Sequence, residues 1–208
     1  MSYTLNTTAA REGDTQNLRI TETGAYVGVF TKAEKVISKQ GTTGIEFSFV
    51  SNEKQSADFL TLWTINKDGE HIYGFKQLMA LMTCMRVKDV SEKTAQIEKF
   101  DNGQKVKVQA PVHPELMNRP IGVLLQREEY EKSNGQPGHK FNFAGFFDPQ
   151  TRMTATEILD KSGRAEKLDK MIAALKDRPM QKRAAATSYG VPAGEPAPIP
   201  DLDDDCSF

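Results

Sequence analysis

The stretch GAYVGVFTKAEKVISKQGTTGIEFSFVSNEKQSADFLTLWTI, residues 24–65, with YGFKQLMALMTCMR, residues 73–86, decides the fold. Residues 24–38 form a long run of β-branched and aromatic side chains, and Gly41-Thr42-Thr43-Gly44 after it is a turn signal. Ile45, Phe47 and Phe49 then alternate with Glu46 and Ser48, the period of a half-buried strand. Residues 52–56 are a polar connector, and residues 57–65 read as a third strand closed by Asn66-Lys67-Asp68-Gly69. Beyond it the period changes. Phe75, Leu78, Met79, Met82 and Met85 stand at helical spacing, which predicts an amphipathic helix over 73–86.

Further along, residues 87–118 read as irregular, with one short strand at 105–109. Strands are expected at 120–131 and 139–147, separated by the loop SNGQPG. Thr154-Ala155-Thr156-Glu157 fits a capping box, and Leu168, Met171, Ile172 and Leu175 make one helical stripe that ends before Pro179. Three strands, a helix and then more strands predict a mainly β fold with helices. The specific expectation is an OB-type five-stranded barrel with its helix between strands three and four. The expected layout is an N-terminal arm (1–23), an OB-like domain (24–150), a helical extension (151–179), a flexible Ala/Pro/Gly linker (180–200) and an acidic tail (201–208).

The chain of 208 residues has a formal net charge of −1, which alone implies no partner. Residues 201–208, DLDDDCSF, hold four Asp and no Lys or Arg. Of the 28 acidic groups, 24 therefore remain against 27 basic ones in the rest of the chain, a net of +3. Cys84 and Cys206 form no CxxC and no disulfide framework, which predicts a reducing compartment. MSYTLNTTAAREGD lacks the features of a signal peptide, and no apolar run approaches the ~20 residues of a membrane span. The expectation is a soluble, cytoplasmic protein with no membrane partner.

Enzyme chemistry finds no foothold. His71, His113 and His139 show no metal-ligand spacing, and there is no P-loop, GxGxxG or GxSxG. Glu128, Glu129 and Glu131 read as solvated strand-end charges. No catalytic residue, cofactor or metal is expected.

Binding of single-stranded DNA needs exposed rings for bases to stack on and a basic groove for the phosphates. The predicted sheet is rich in aromatics. Phe146 and Phe147 are adjacent on a strand and must point to opposite faces, which implies one ring away from the core. Tyr26 and Phe30 share the face opposite Val27 and Val29, with Lys32 and Lys35 further along the same strand. The expected DNA-contacting residues are Tyr26, Phe30, Trp63 and Phe146 as stacking rings, with Lys32, Lys35, Lys105, Lys107, Arg127 and Lys140 on the phosphates. In the tail, Asp201, Asp203, Asp204, Asp205 and Phe208 suit a partner's apolar pocket with a basic rim. They also suit the protein's own groove, where they would imitate a polyanion with stackable rings.

The Ala/Pro/Gly linker and an acidic tail ending on Phe208 resemble those of phage single-stranded DNA-binding proteins. Bacterial counterparts usually carry Pro before the final Phe, where this chain has Ser207. GAYVGVFTKAEKVIS, TTGIEFSF, YGFKQLMALM and RPIGVLLQREEY resemble a phage family of unknown function found beside recombination and replication genes, over roughly residues 24–148. The resemblance implies an OB fold, a coating role on single-stranded DNA in phage replication or recombination, and replication or recombination proteins as tail partners; the helices at about 154–177, which a minimal barrel lacks, are open to packing on the barrel or to self-association. The alternative expectation is an adaptor of that machinery with no DNA affinity of its own.

Overall fold

A computed structural model describes residues 5, 7, 19–101, 104–132 and 134–180. The expected linker beyond residue 180 and the acidic tail lie outside the described residues, as does most of the expected arm. The protein is mainly β, with an antiparallel sheet of seven strands and a few short helices. The strands are β1 (Gly24–Ile37), β2 (Thr43–Ser51), β3 (Ser56–Ile65), β4 (Lys93–Asp101), β5 (Gln104–Val112), β6 (Pro120–Glu131) and β7 (Pro137–Phe147). The helices are α1 (Tyr73–Met85), α2 (Ala155–Leu159) and α3 (Lys167–Ala174).

β1 is the hub. Its first half pairs with β6 (Gly24↔Leu125 to Val29↔Pro120), and its second half pairs with β2 (Gly28↔Ser51 to Ile37↔Thr43). Gly28 sits where the two ladders overlap. A Cβ there would lie 2.1 Å from the Val50 carbonyl oxygen, so only glycine permits the crossing. β7 pairs with β6 and packs against β3 and α1. No ladder joins β7 to β3 among the described residues, so the sheet is not closed.

Residues 87–118 are not irregular. They hold β4 and β5, a hairpin paired from Lys93↔Val112 to Asp101↔Gln104, followed by a 3₁₀ turn at Pro114–Leu116. The hairpin joins β1 through Glu34↔Val112. Its pattern is faint because, among the described side chains, only Ile97, Ala110 and Val112 are buried on it, in a small cluster of their own. The expected arm also needs correcting at its end. Ile20 is buried, and its N–H donates to the Ser56 carbonyl at 2.9 Å.

Two apolar layers hold the fold. The main core gathers Phe30, Phe47, Phe49, Phe143 and Phe146, with Leu78 and Leu81 of α1. Phe30 meets Phe47 at 4.5 Å and Phe143 edge-on at 6.0 Å. Burial, with the Asp148 carboxylate second, pushes the core thiol of Cys84 up to about 12, which leaves it inert. On the other side of β6–β7, Leu124 and Phe147 are buried under Leu168 of α3, with Met171, Ile172 and Leu175 alongside. The expected helical stripe is thus the seal of this second layer. The capping box is formed: Glu157 Oε2 accepts from Thr154 N–H at 2.8 Å and from its hydroxyl at 2.9 Å. Its other oxygen accepts from the N–H groups of Glu166 and Lys167 at 2.7 and 2.8 Å, which ties α2 to the start of α3. Burial opposes ionisation here, but these hydrogen bonds outweigh it and hold the carboxyl at about 2.

Candidate nucleic-acid interface

Among the described residues, no helix covers the outer face of β1–β2–β3. Pairing fixes what it displays. Inward, Phe47 stands between Ala33 and Leu60, and Ile45 pairs with Leu62. Outward, Glu46 stands between Glu34 and Thr61, and Gly44 stands between Val36 and Trp63. Gly44 makes room for the indole, since a Cβ there would lie 2.9 Å from Trp63 Cε3.

Two bulges set this face. On β1 the register shifts between Phe30 and Lys32, which sends Phe30 inward and Lys32 outward. On β3 the shift opposite Phe47–Phe49 holds Phe59 at φ 60, a left-handed conformation that a bulky residue adopts only at a cost. The result is an aromatic ring 66% exposed, on the same strand as Trp63 at 38%.

The β4–β5 hairpin stands over this face and turns it into a groove with two adjoining lobes. One, of about 470 Å³, is lined by Arg19, Lys32, Ser48, Asp58 and Ile97, among others. The other, of about 270 Å³, is bounded by Glu34, Glu46, Asp58, Phe59 and Lys99. Its charges are largely self-compensated. Lys32 Nζ is 2.7 Å from Glu46 Oε1 and 3.8 Å from Glu34 Oε2, and Lys99 Nζ is 2.6 Å from Glu34 Oε1. Glu34 is buried, and its Oε2 accepts no hydrogen bond. Among the described residues no three His, Cys, Asp or Glu side chains assemble as a metal site.

Of the expected DNA contacts only Lys32 lines the groove, and Trp63 is exposed further along β3, outside that lining. Phe30 is fully buried and Phe146 is 4% exposed, so neither can offer a face to a base. The reason is common to both: each lies on the side of its strand that forms the main core. The side taken for core, with Val27 and Phe147, is covered by α3 rather than by solvent. Tyr26 packs half-buried against the core and donates its hydroxyl to the Glu22 carbonyl at 2.8 Å. Burial first, then the Glu22 and Glu53 carboxylates, raise its phenol. Lys35 pairs with Glu92 at 2.7 Å, outside the groove lining. Arg127 and Lys140 stand on the β6–β7 hairpin, paired with Glu129 and Asp177 at 3.6 and 3.8 Å and with Glu128 at 3.3 Å. Lys107 is exposed on β5, opposite Glu98 in the register. The side chain of Lys105 and the tail residues Asp201, Asp203, Asp204, Asp205 and Phe208 lie outside the described residues.

The groove's own Phe59, Asp58, Arg19 and Lys99 were absent from the expected set. For Phe59 a signal existed. Strict alternation back from Leu62 and Leu60 puts Asp58 in the core, and a buried unpaired carboxylate is forbidden there, so a one-residue slip is required. The chain matches no family model and no curated protein. No helix among the described residues is long and apolar enough to cross a membrane.

Proposed function

We propose that the protein binds single-stranded DNA along the outer face of β1–β2–β3. The observation that carries this reading is the pair of exposed rings on β3, Phe59 at 66% and Trp63 at 38%, beside a groove roofed by the β4–β5 hairpin. Each base–ring stack contributes about 1–3 kcal/mol, and it tolerates any base. Arg19 adds an exposed cation at the groove's end. The strand order supports an OB-type arrangement. β1, β2 and β3 are followed by α1, then by β6, which pairs with β1, and by β7, which lies against β3. In that reading the β4–β5 hairpin is an insertion before the fourth barrel strand, and β3–β7 is the unpaired seam. The acidic tail recruits replication or recombination proteins and competes with DNA for the groove. The role is that of a non-enzymatic coat on single strands in phage replication or recombination, in the cytoplasm of the host.

The test is a titration of the full chain with oligo-dT, read by the single tryptophan, Trp63. Binding should fall with salt at a log–log slope of about −0.7 per phosphate contact. Deletion of residues 201–208 should tighten binding at low salt and matter less at high salt. Absence of binding of oligo-dT and of oligo-dC at low salt, with and without the tail, refutes the reading. A second reading is favoured by one observation: Lys32, Lys35, Arg127 and Lys140 are already in ion pairs. It makes the protein an adaptor that binds proteins through its tail and no DNA, and the same titration separates the two.

A further inference from the structure

The groove floor is acidic where a DNA-binding groove is expected to be basic. Glu34, Glu46, Asp58 and Glu98 line it against Lys32, Lys99 and Arg19. Lys32 and Lys99 are held by Glu46 and Glu34. Two acceptors are left over. Glu34 Oε2 is buried with no hydrogen-bond donor, and Asp58 is exposed, in no ion pair among the described residues, and adjacent to the Phe59 ring. A phosphate placed on this floor would meet carboxylates, so a strand lying here must turn its bases inward and its backbone toward the rim. A base stacked on Phe59 then presents its polar edge to Asp58. Cytosine offers an amino group at that edge, whereas thymine and uracil offer a carbonyl oxygen, which a carboxylate repels.

Resting on the single-strand reading above, we infer that Asp58–Phe59 is a base-reading element that takes bases with an exocyclic amino group, cytosine first among the pyrimidines, and discriminates against thymine and uracil. Phe59 supplies the stacking surface. Asp58 accepts from the amino group, and Glu34 Oε2, which accepts no hydrogen bond of its own, adds to the floor's preference for donors.

The experiment compares fluorescein-labelled oligo-dC and oligo-dU of equal length, which differ in the ring only at C4 and at the N3 proton. Anisotropy is followed with the full chain at low salt and mildly alkaline pH. The wild type should bind oligo-dC about fivefold or more tighter than oligo-dU, the scale of one lost charge-assisted hydrogen bond. Asp58→Ala should bring the two affinities within about twofold, by weakening oligo-dC and sparing or tightening oligo-dU. Asp58→Asn, which adds amide donors to the same shape, should shift the balance toward oligo-dU. Phe59→Ala should weaken both and keep their ratio. Asp58 is exposed, so both variants should retain the wild-type Trp63 emission. Equal binding of the two oligonucleotides by the wild type, tighter binding of oligo-dU, or a preference that survives both Asp58 variants overturns this inference and leaves single-strand binding standing. No binding of any oligonucleotide, with or without residues 201–208, overturns both.

Discussion

The two outer faces of this sheet carry similar residues and have opposite fates. Beyond β6–β7, Phe147 points away from the main core and is 2% exposed, because Leu168 and its neighbours on α3 close over it. Beyond β1–β2–β3, Phe59 and Trp63 point away from the same core and stay exposed, and among the described residues only the β4–β5 hairpin stands over the groove. An aromatic on the far side of a strand therefore says nothing by itself about binding. What decides is whether a later segment of the chain returns to cover it. Here residues 168–175 return to the β6–β7 face, and no described helix covers the other.

The largest test of this contrast is Phe147→Ala. Truncating a buried ring removes its transfer energy and leaves a cavity under α3, so stability should drop by about 3–5 kcal/mol in urea melts. A loss below ~1 kcal/mol would mean that α3 does not seal that face. Next is the clamp that holds α3 in place. Glu157→Ala leaves the N–H groups of Thr154, Glu166 and Lys167 without their acceptor, at a cost of about 1–3 kcal/mol. The folded carboxyl sits at about 2, below its ordinary 4.5, so its stabilisation is complete above about pH 4.5 and fades as the pH falls toward 2. The gap between wild type and Glu157→Ala in urea midpoint should therefore be widest at neutral pH and shrink in acid. A gap that is constant with pH would show that the carboxylate's charge is irrelevant to the clamp.

Elements with a dense apolar pattern are legible in the sequence. The residues 120–131 expected to form a strand are β6, and the helix expected over 73–86 is α1, ended by Arg86 in the left-handed conformation. The stripe Leu168, Met171, Ile172 and Leu175 is the face of α3 that packs. The β4–β5 hairpin was hidden because Ile97, Ala110 and Val112 are the only buried side chains among its described ones, although Asn102-Gly103 in the sequence between its strands is a strong hairpin dipeptide. The groove face was the least legible part. Two bulges, at Phe30/Lys32 and opposite Phe47/Phe49, each shift the inside–outside alternation by one residue. Period-two reading therefore carries Phe30 and Lys32 onto one face and does not single out Phe59, while Phe30 itself is misplaced because the side of β1 that it shares with Tyr26 is the core side. Arg19 and Lys99 reach the groove through pairings that no local pattern records: an isolated bridge to Ser56 and the hairpin's return.

On the open face, Phe59→Gly separates stability from binding. Glycine adopts φ 60 without strain, so the variant should be as stable as the wild type or more stable by about 1 kcal/mol. It should nonetheless lose about 1–3 kcal/mol of affinity for single-stranded DNA. A variant that is destabilised while binding normally would make Phe59 a structural residue, like Phe147, and erase the contrast between the faces.

The smallest effects sharpen the boundary of the groove. Lys140 is half exposed and 3.3 Å from Glu128 on the β6–β7 hairpin, a surface pair whose loss should change stability by no more than about 0.5 kcal/mol. Sequence alone marks Lys140 as a phosphate contact, but it lies on the side of the molecule that α3 and the segment after it serve, since Arg178 reaches Glu128 as well. Lys140→Ala should therefore leave the salt dependence of DNA binding unchanged. Arg19→Ala, at the end of the groove, should make the slope shallower by about 0.7, one phosphate contact. The two substitutions remove the same charge from one protein, so non-specific attraction to the whole surface would shift both slopes alike. A difference between them assigns the DNA path to the face that the helices leave open, and a slope that moves only in Lys140→Ala would transfer that path to the β6–β7 hairpin.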